Sequence, residues 1–402
     1  MALLSGLRVI TVEQYGAGPY GTMQLADLGA EIIKIENPAE GGDMARGVGP
    51  YFFAPGDSQF YQSFNRNKRS VTLDLKKPGA REALHALAAQ ADAVFNNLRG
   101  DLPAKLGLTY EALAPANPKI VCVHLSAYGR TGSRAAWPGY DYLMQAEAGY
   151  LSLTGEPDGP PSRFGLSVVD LMTGLFAAFA LVSGVLAARA EGRGRDLDVS
   201  LFDMALQNLN YLATWYLNGG HVQGREPRSA HPSLVPSQLY RTADGFILIM
   251  CNKERFWPVL CERIGHPEWA DDPRFRSFKD RLAHRALITE LLDGVLSTRS
   301  TAEWLRHFEG RVPAAPVNDL RGAIEDPFVR ERGLVWNYER AAGPPVAMIK
   351  TPIGTGEDDL PRRAAPALGA DTEAVLREAG LTQEAIRALR ETGAIGKADM
   401  LD

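Results

Sequence analysis

Hydrophobic and polar positions in the first third of the chain alternate between two periods. Leu7 to Val12, Glu31 to Glu36, Ala93 to Asn96 and Lys119 to Leu125 are short β-like runs that predict strands. Between them, Pro19 to Leu28 and Arg81 to Ala89 repeat apolar residues at helical spacing, and Thr109 to Leu113 adds a further helical stretch. Strands alternating with helices predict a parallel sheet covered by helices. Leu171 to Ala188 is then apolar almost all round, Asp196 to Leu201 predicts a strand, and Asp203 to Leu217 predicts one helix.

The pattern changes near Gly219. His221 to Ser237 holds three prolines and predicts a loop, followed by a hairpin over Gln238 to Met250 that turns at Ala243-Asp-Gly245. Helical patterns follow at Glu254 to Ile264, Ala283 to Leu296 and Thr301 to Phe308. Pro352 to Pro366 reads as a loop, and Asp371 to Leu389 as two short helices. The predicted organisation is a large domain over 1–220, a small domain over 225–325, and a terminal segment, 330–402. No internal repeat is visible.

Length supports two domains, since 402 residues exceed one compact core. The net charge of −5 argues against nucleic acid as a partner. Three scattered cysteines, Cys122, Cys251 and Cys261, have neither metal-ligand spacing nor a disulfide pattern, which points to a reducing cytoplasm and no metal. The start of the chain lacks the features of a signal peptide. Leu171 to Ala188 just reaches the length of a membrane span, but its Ala, Gly, Ser and Thr content predicts a helix buried in a core or subunit interface instead.

Three features carry chemistry. Asp170 directly precedes the long apolar helix, where unpaired N–H groups favour an ionised carboxylate; it reads either as a helix cap or as a nucleophile. Gly16-Ala-Gly18-Pro-Tyr-Gly21 follows a predicted strand and opens a helix, as a dinucleotide loop does, and Glu36 ends the next strand. Glu36 comes early for a ribose-binding acid, however, and no hydride-transfer site accompanies it, so an NAD-dependent oxidoreductase is the weaker reading. Arg66, Lys68, Arg69 and Lys76 form a dense basic cluster that reads either as a solvated loop or as a phosphate site.

Gly192-Arg-Gly-Arg-Asp196-Leu-Asp-Val-Ser-Leu201-Phe-Asp203, taken with the Asp170 segment, resembles the class III CoA-transferases. The resemblance runs over nearly the whole chain, through Leu25 to Glu36, Asn65 to Lys76, Tyr240 to Ile247, Asp272 to Phe275 and Gly310 to Val317. It implies a doubly wound, Rossmann-like α/β domain built from both chain ends, a smaller inserted α+β domain, and an interlocked homodimer. It also implies acyl-CoA as substrate, no permanently bound cofactor, and Asp170 as the residue that carries the acyl group. Gly16 and Ala17 would lie against the thioester. CoA would be lined by Arg66, Leu73, Asp74, Leu75, Lys76, Asn96, Asn97, Leu98, Lys105, Tyr128, Gly129 and Arg130. Lys105 stands where formyl-CoA transferase has an arginine, and Asn37 replaces another near the adenine.

Racemases of the same fold need a His–Asp pair, with the histidine second in a Gly-His-Asp triplet. Here the triplet is Gly139-Tyr140-Asp141, and a tyrosine is a poor base at neutral pH, which favours transfer over racemisation. Arg228 to Ser237 resembles transferases that use succinyl-CoA and small dicarboxylic acids, with Arg228 or His231 as candidates for the distal carboxylate and Tyr140 in the acyl site. Met250 to Phe256 lacks the glycine-rich loop of formyl-CoA transferases, which argues against oxalate and formyl-CoA.

Overall fold

The computed structural model describes residues 2–354, 356 and 360–396. Six strands build the main sheet: β1 (Arg8–Val12), β2 (Glu31–Glu36), β3 (Arg69–Thr72), β4 (Ala93–Asn96), β5 (Val121–Ser126) and β6 (Arg195–Ser200). All pairings are parallel and the order is β3-β2-β1-β4-β5-β6. This is a doubly wound arrangement, and its strand order reverses between β1 and β4. In such sheets ligands bind at that reversal, beyond the carboxyl ends of the strands. Here those ends lead into Gln14–Gly16 and Asn97.

Two compact units make up the chain. The larger comprises Met1–Ala148, Gly165–Asn210 and Arg332–Asp402. Its core joins Ile33, Val71, Leu84 and Leu87 to Val375, Leu376, Ile386 and Leu389, so the C-terminal helices complete it. The smaller comprises Gly149–Phe164 and Tyr211–Glu331. The sequence placed 149–164 and 211–220 in the large domain; side-chain bonds account for the first of these differences. Arg225 donates to the carbonyls of Glu156 and Gly159, and the Arg228 N–H donates to the Glu156 carboxylate, which ties 149–164 into the second unit.

The smaller unit holds the hairpin Ser237–Thr242 and Gly245–Met250, with Ala314–Pro316 as a third strand. Its core is Tyr240, Ile247, Trp257, Leu292, Trp304 and Phe308. The helix expected over Asp203 to Leu217 is instead two, Leu201–Asn208 and Asn210–Gly219. Asn210 breaks it by taking φ 46°, a left-handed conformation asparagine tolerates, and the units divide there. Residues 355 and 357–359 of the expected Pro352–Pro366 loop lie outside the described residues.

Candidate active site

The N-terminal turns of two helices pack side by side near the strand reversal: α1 (Ala17–Asp27) and the long α2 (Val168–Glu191). Glycines permit the approach. A Cβ on Gly21 would lie 2.2 Å from the Gly174 carbonyl oxygen, and one on Gly174 would lie 2.2 Å from that of Ala17. A Cβ on Gly16 would sit 3.0 Å from Asp170 Oδ2. The glycine pattern is therefore explained by helix packing that sets Asp170 beside Gly16. Glu36, the expected ribose acid, is buried and held by Arg46 Nη2 at 2.7 Å and Ser70 Oγ at 2.6 Å, so the dinucleotide reading fails at its second element.

Asp170 does not cap its helix. Ser167 occupies the cap position without a side-chain bond, and Asp170 lies in the first turn. Its own N–H donates to Asp141 Oδ2 at 2.9 Å, while Gln145 Nε2 donates to the other oxygen of Asp141 at 2.5 Å. Burial pushes the Asp170 carboxyl up to about 7, and the negative charge of Asp141 adds to the rise. The expectation that the helix end keeps Asp170 ionised is thus met by two opposing influences, loss of water and a neighbouring anion, which bring its carboxyl to about 7.

Around this carboxylate lies a pocket of about 190 Å³ lined by Gly16, Ala17, Asn97, Leu98, Trp137 and Tyr140 among others. The N-terminus of α1 has no side-chain cap bond, and it opens at Gly16. A nucleophilic carboxylate, a helix end rich in N–H donors and a partly apolar wall suit acyl transfer. A family model described as CoA-transferase family III matches residues 4–372. The chain belongs to that family. Over 390 residues it is 36% identical to the succinate–glutarate CoA-transferase of Agrobacterium fabrum, covering 93% of this chain and 95% of that relative. It is 37% identical over 334 residues to the acetyl-CoA:oxalate CoA-transferase of Acetobacter aceti, covering 82% and 84%. The crystal structure of a CAIB/BAIF family protein from Brucella suis superposes with a TM-score of 0.80 at 32% identity, covering 94% of this chain and 99% of that one. The protein is a CoA-transferase of family III.

Family membership does not place the CoA-site candidates, and the structure separates them. Arg66 is buried, binds Asp27 at 2.6 Å and lies over the Tyr338 ring. Lys68 is buried on Glu13 at 2.7 Å, and burial lowers its ammonium to about 8. Arg69 is shared among Glu31, Asp371 and Glu378. The basic cluster, read as a solvated loop or a phosphate site, is therefore largely taken up by ion pairs, two of them buried. Only Lys76 of the four is exposed. Leu73 is in the core, Leu75 packs against it, and buried Asp74 accepts the Lys76 N–H.

Asn96 is buried on the Val123 carbonyl and His124. Asn97 and Leu98 line the pocket. Lys105 is exposed and pairs with Asp101 at 2.7 Å. The Tyr128 hydroxyl donates to Glu147, the Gly129 N–H to Ser126, and Arg130 binds Asp198 at 2.5 Å. In the smaller unit, Arg228 pairs with Asp293 at 2.6 Å. His231 Nδ1 accepts the N–H groups of Ser233 and Leu234, and burial, then the charge of Arg285, lowers its pKa. That ring organises its own turn.

Sequence reasoning missed Asp141 as the partner of Asp170, having weighed it only in the racemase triplet. The signal was available: an acid opening the short helix Asp141–Glu147.

Proposed function

We propose that the protein transfers CoA from succinyl-CoA to a small dicarboxylic acid, with Asp170 as the covalent carrier. The observation that carries this reading is a carboxylate without a cation partner among the described residues, set against Gly16 at the head of α1. Asp170 attacks the thioester carbonyl, the C–S bond breaks, and CoA leaves as thiolate from a mixed anhydride. The thiolate then attacks the aspartyl carbonyl, releasing the donor acid and leaving an aspartyl-CoA thioester. The acceptor carboxylate reverses the two steps and departs as acyl-CoA. N–H groups of Gly16 and Ala17 stabilise the oxyanion in each addition. A carboxylate that burial has deprived of water is a better nucleophile than a solvated one.

Donor and acceptor follow the names of relatives such as the succinate–glutarate enzyme, and the oxalate enzyme keeps oxalate among acceptors to assay. Exposed Lys76 and Lys105 are the cations of the predicted set that remain best placed to meet CoA phosphates. Met172, Leu175, Phe176, Phe179 and Leu186 form an exposed apolar stripe on α2, which supports burial of this helix in a homodimer. The free, buried cysteines fit the cytoplasm.

The test is trapping. Wild-type protein incubated with succinyl-CoA and then hydroxylamine should gain mass on the Asp170 peptide, with release of CoA. Release of CoA with no modified Asp170 would end the covalent reading. A panel of donors and acceptors followed by mass spectrometry identifies the acids exchanged; exclusive use of monocarboxylates would end the dicarboxylate assignment.

A further inference from the structure

The loop that presents Gly16 is held from two sides. Asn97 clamps Gln14: the Gln14 N–H donates to Oδ1 at 2.8 Å, and Nδ2 donates to the Gln14 carbonyl at 2.7 Å. Tyr15, next along, has φ 69°. An aromatic residue stays in that left-handed region only where its surroundings hold it there. Asp43 is the holder. Its Oδ1 accepts the Tyr15 N–H at 2.9 Å and the Ala45 N–H at 2.8 Å. Its Oδ2 accepts Lys34 Nζ at 2.7 Å, and neither side chain of that pair has any exposure. Lys34 projects from β2 and also donates to the Glu13 carbonyl at 3.0 Å, so the anchor is tied to the sheet and to the chain entering the loop. Burial would raise the Asp43 carboxyl, but the charge of Lys34 and the bonds from Lys34, Ala45 and Tyr15 together hold it below the usual aspartate range.

We propose that Asp43, fixed by Lys34, is a positioning residue for acyl transfer. By holding Tyr15 left-handed, it sets the peptide groups of Gly16 and Ala17 toward the carbonyl that Asp170 attacks. The proposal rests on the covalent reading above. It assigns the buried pair a task beyond charge neutralisation, because Tyr15 returned to a negative φ would turn the following peptides away.

Two double variants test it. Lys34→Met/Asp43→Asn removes both charges and keeps an oxygen for the Tyr15 N–H. Lys34→Met/Asp43→Leu removes both charges and the acceptor. CoA release in a single turnover should fall within about tenfold of wild type in the first and about 100-fold below it in the second. CoA affinity should stay within about threefold in both. Exchange of the Tyr15 amide should be fast only in the leucine variant. Equal rates in the two variants, or a slow leucine variant with a protected Tyr15 amide, would overturn the proposal.

A pair at Tyr15 itself covers failure of the leucine variant to fold. Tyr15→Asn and Tyr15→Val both remove the ring, yet only asparagine tolerates positive φ. The valine enzyme should be about tenfold slower, and equal rates would again overturn the assignment. If wild type never labels Asp170, the covalent reading has failed, while Tyr15 amide protection still reports on the Asp43 anchor by itself.

Discussion

Two regions of the large unit treat carboxylates in opposite ways. Around β1 to β3, four buried acids meet cations: Glu13 with Lys68, Asp27 with Arg66, Glu36 with Arg46, and Asp43 with Lys34. At the head of α2, Asp170 faces a second acid instead, and its carboxyl rises to about 7. Burial disfavours a charged carboxylate in both regions; only the first supplies the compensating charge. A largely buried acid left uncompensated marks the reacting group, and a compensated one marks the frame that holds it. The same logic explains why a cluster of arginines and lysines, conspicuous in sequence, is mostly spent inside the fold.

The largest effect that could break this comparison is on catalysis. Asp170→Asn should slow CoA transfer by on the order of 10⁴-fold or more, since the amide is no nucleophile. It should not cost stability, because Asp170 accepts no cap bond and its own N–H remains on Asp141. A raised carboxyl means the folded chain holds a proton that the unfolded chain has released. Stability from this site is therefore fully present below the usual aspartate value of 3.8 and is lost as pH rises from there through about 7. At pH 8 the asparagine variant should thus be more stable, by about 1–2 kcal/mol after allowance for partial exposure, and should melt higher. A lower melting temperature than wild type at pH 8 would contradict the electrostatic account even if activity vanished.

Next in size is the scaffold side. Arg66→Ala strands Asp27 in the interior and should cost about 3–5 kcal/mol, read by denaturant unfolding. The folded fraction should bind CoA as wild type does. Normal stability with weakened CoA binding would restore Arg66 to the phosphate site.

These outcomes bear on what the sequence could disclose. Glu31–Glu36 and Ala93–Asn96 were legible to the residue because each centres on β-forming residues, Ile32, Ile33 and Ile35 in the first and Val94 and Phe95 in the second. Asp170 and Gly16 were legible as a pair only through family resemblance, since nothing local shows that Gly21 and Gly174 let two helices touch. The fates of Arg66 and Lys68 were hidden, because their partners Asp27 and Glu13 lie 39 and 55 positions away. Tyr15 was hidden for another reason: a left-handed aromatic has no signature in residue type.

A smaller effect should appear in pH dependence. Asp170 must be ionised to attack, so the single-turnover rate of CoA release should rise with pH and level off above about 7. Asp141→Asn removes the neighbouring charge and should move that midpoint down by about one unit, with burial keeping it above that of an ordinary aspartate. A midpoint unmoved in this variant would leave burial as the sole cause.

The smallest expected effect concerns Lys76, the exposed member of the basic cluster. It has no ion-pair partner among the described residues, and its N–H contact to Asp74 is a backbone one that a substitution retains. Lys76→Ala should therefore leave stability within about 0.5 kcal/mol. If the ammonium meets a CoA phosphate, calorimetry at low salt should show CoA affinity reduced several-fold, about 1 kcal/mol. Screening shortens the reach of an exposed charge to about 3 Å at 1 M salt, so wild type and variant should converge there. Arg66→Ala gives the reverse profile, with large instability and no change in the salt dependence of CoA binding. Two cations ten positions apart in one sequence cluster would thus be sorted, by opposite responses, into ligand contact and internal support. A Lys76→Ala protein with unchanged affinity at every salt concentration would remove the last member of that cluster from the CoA site.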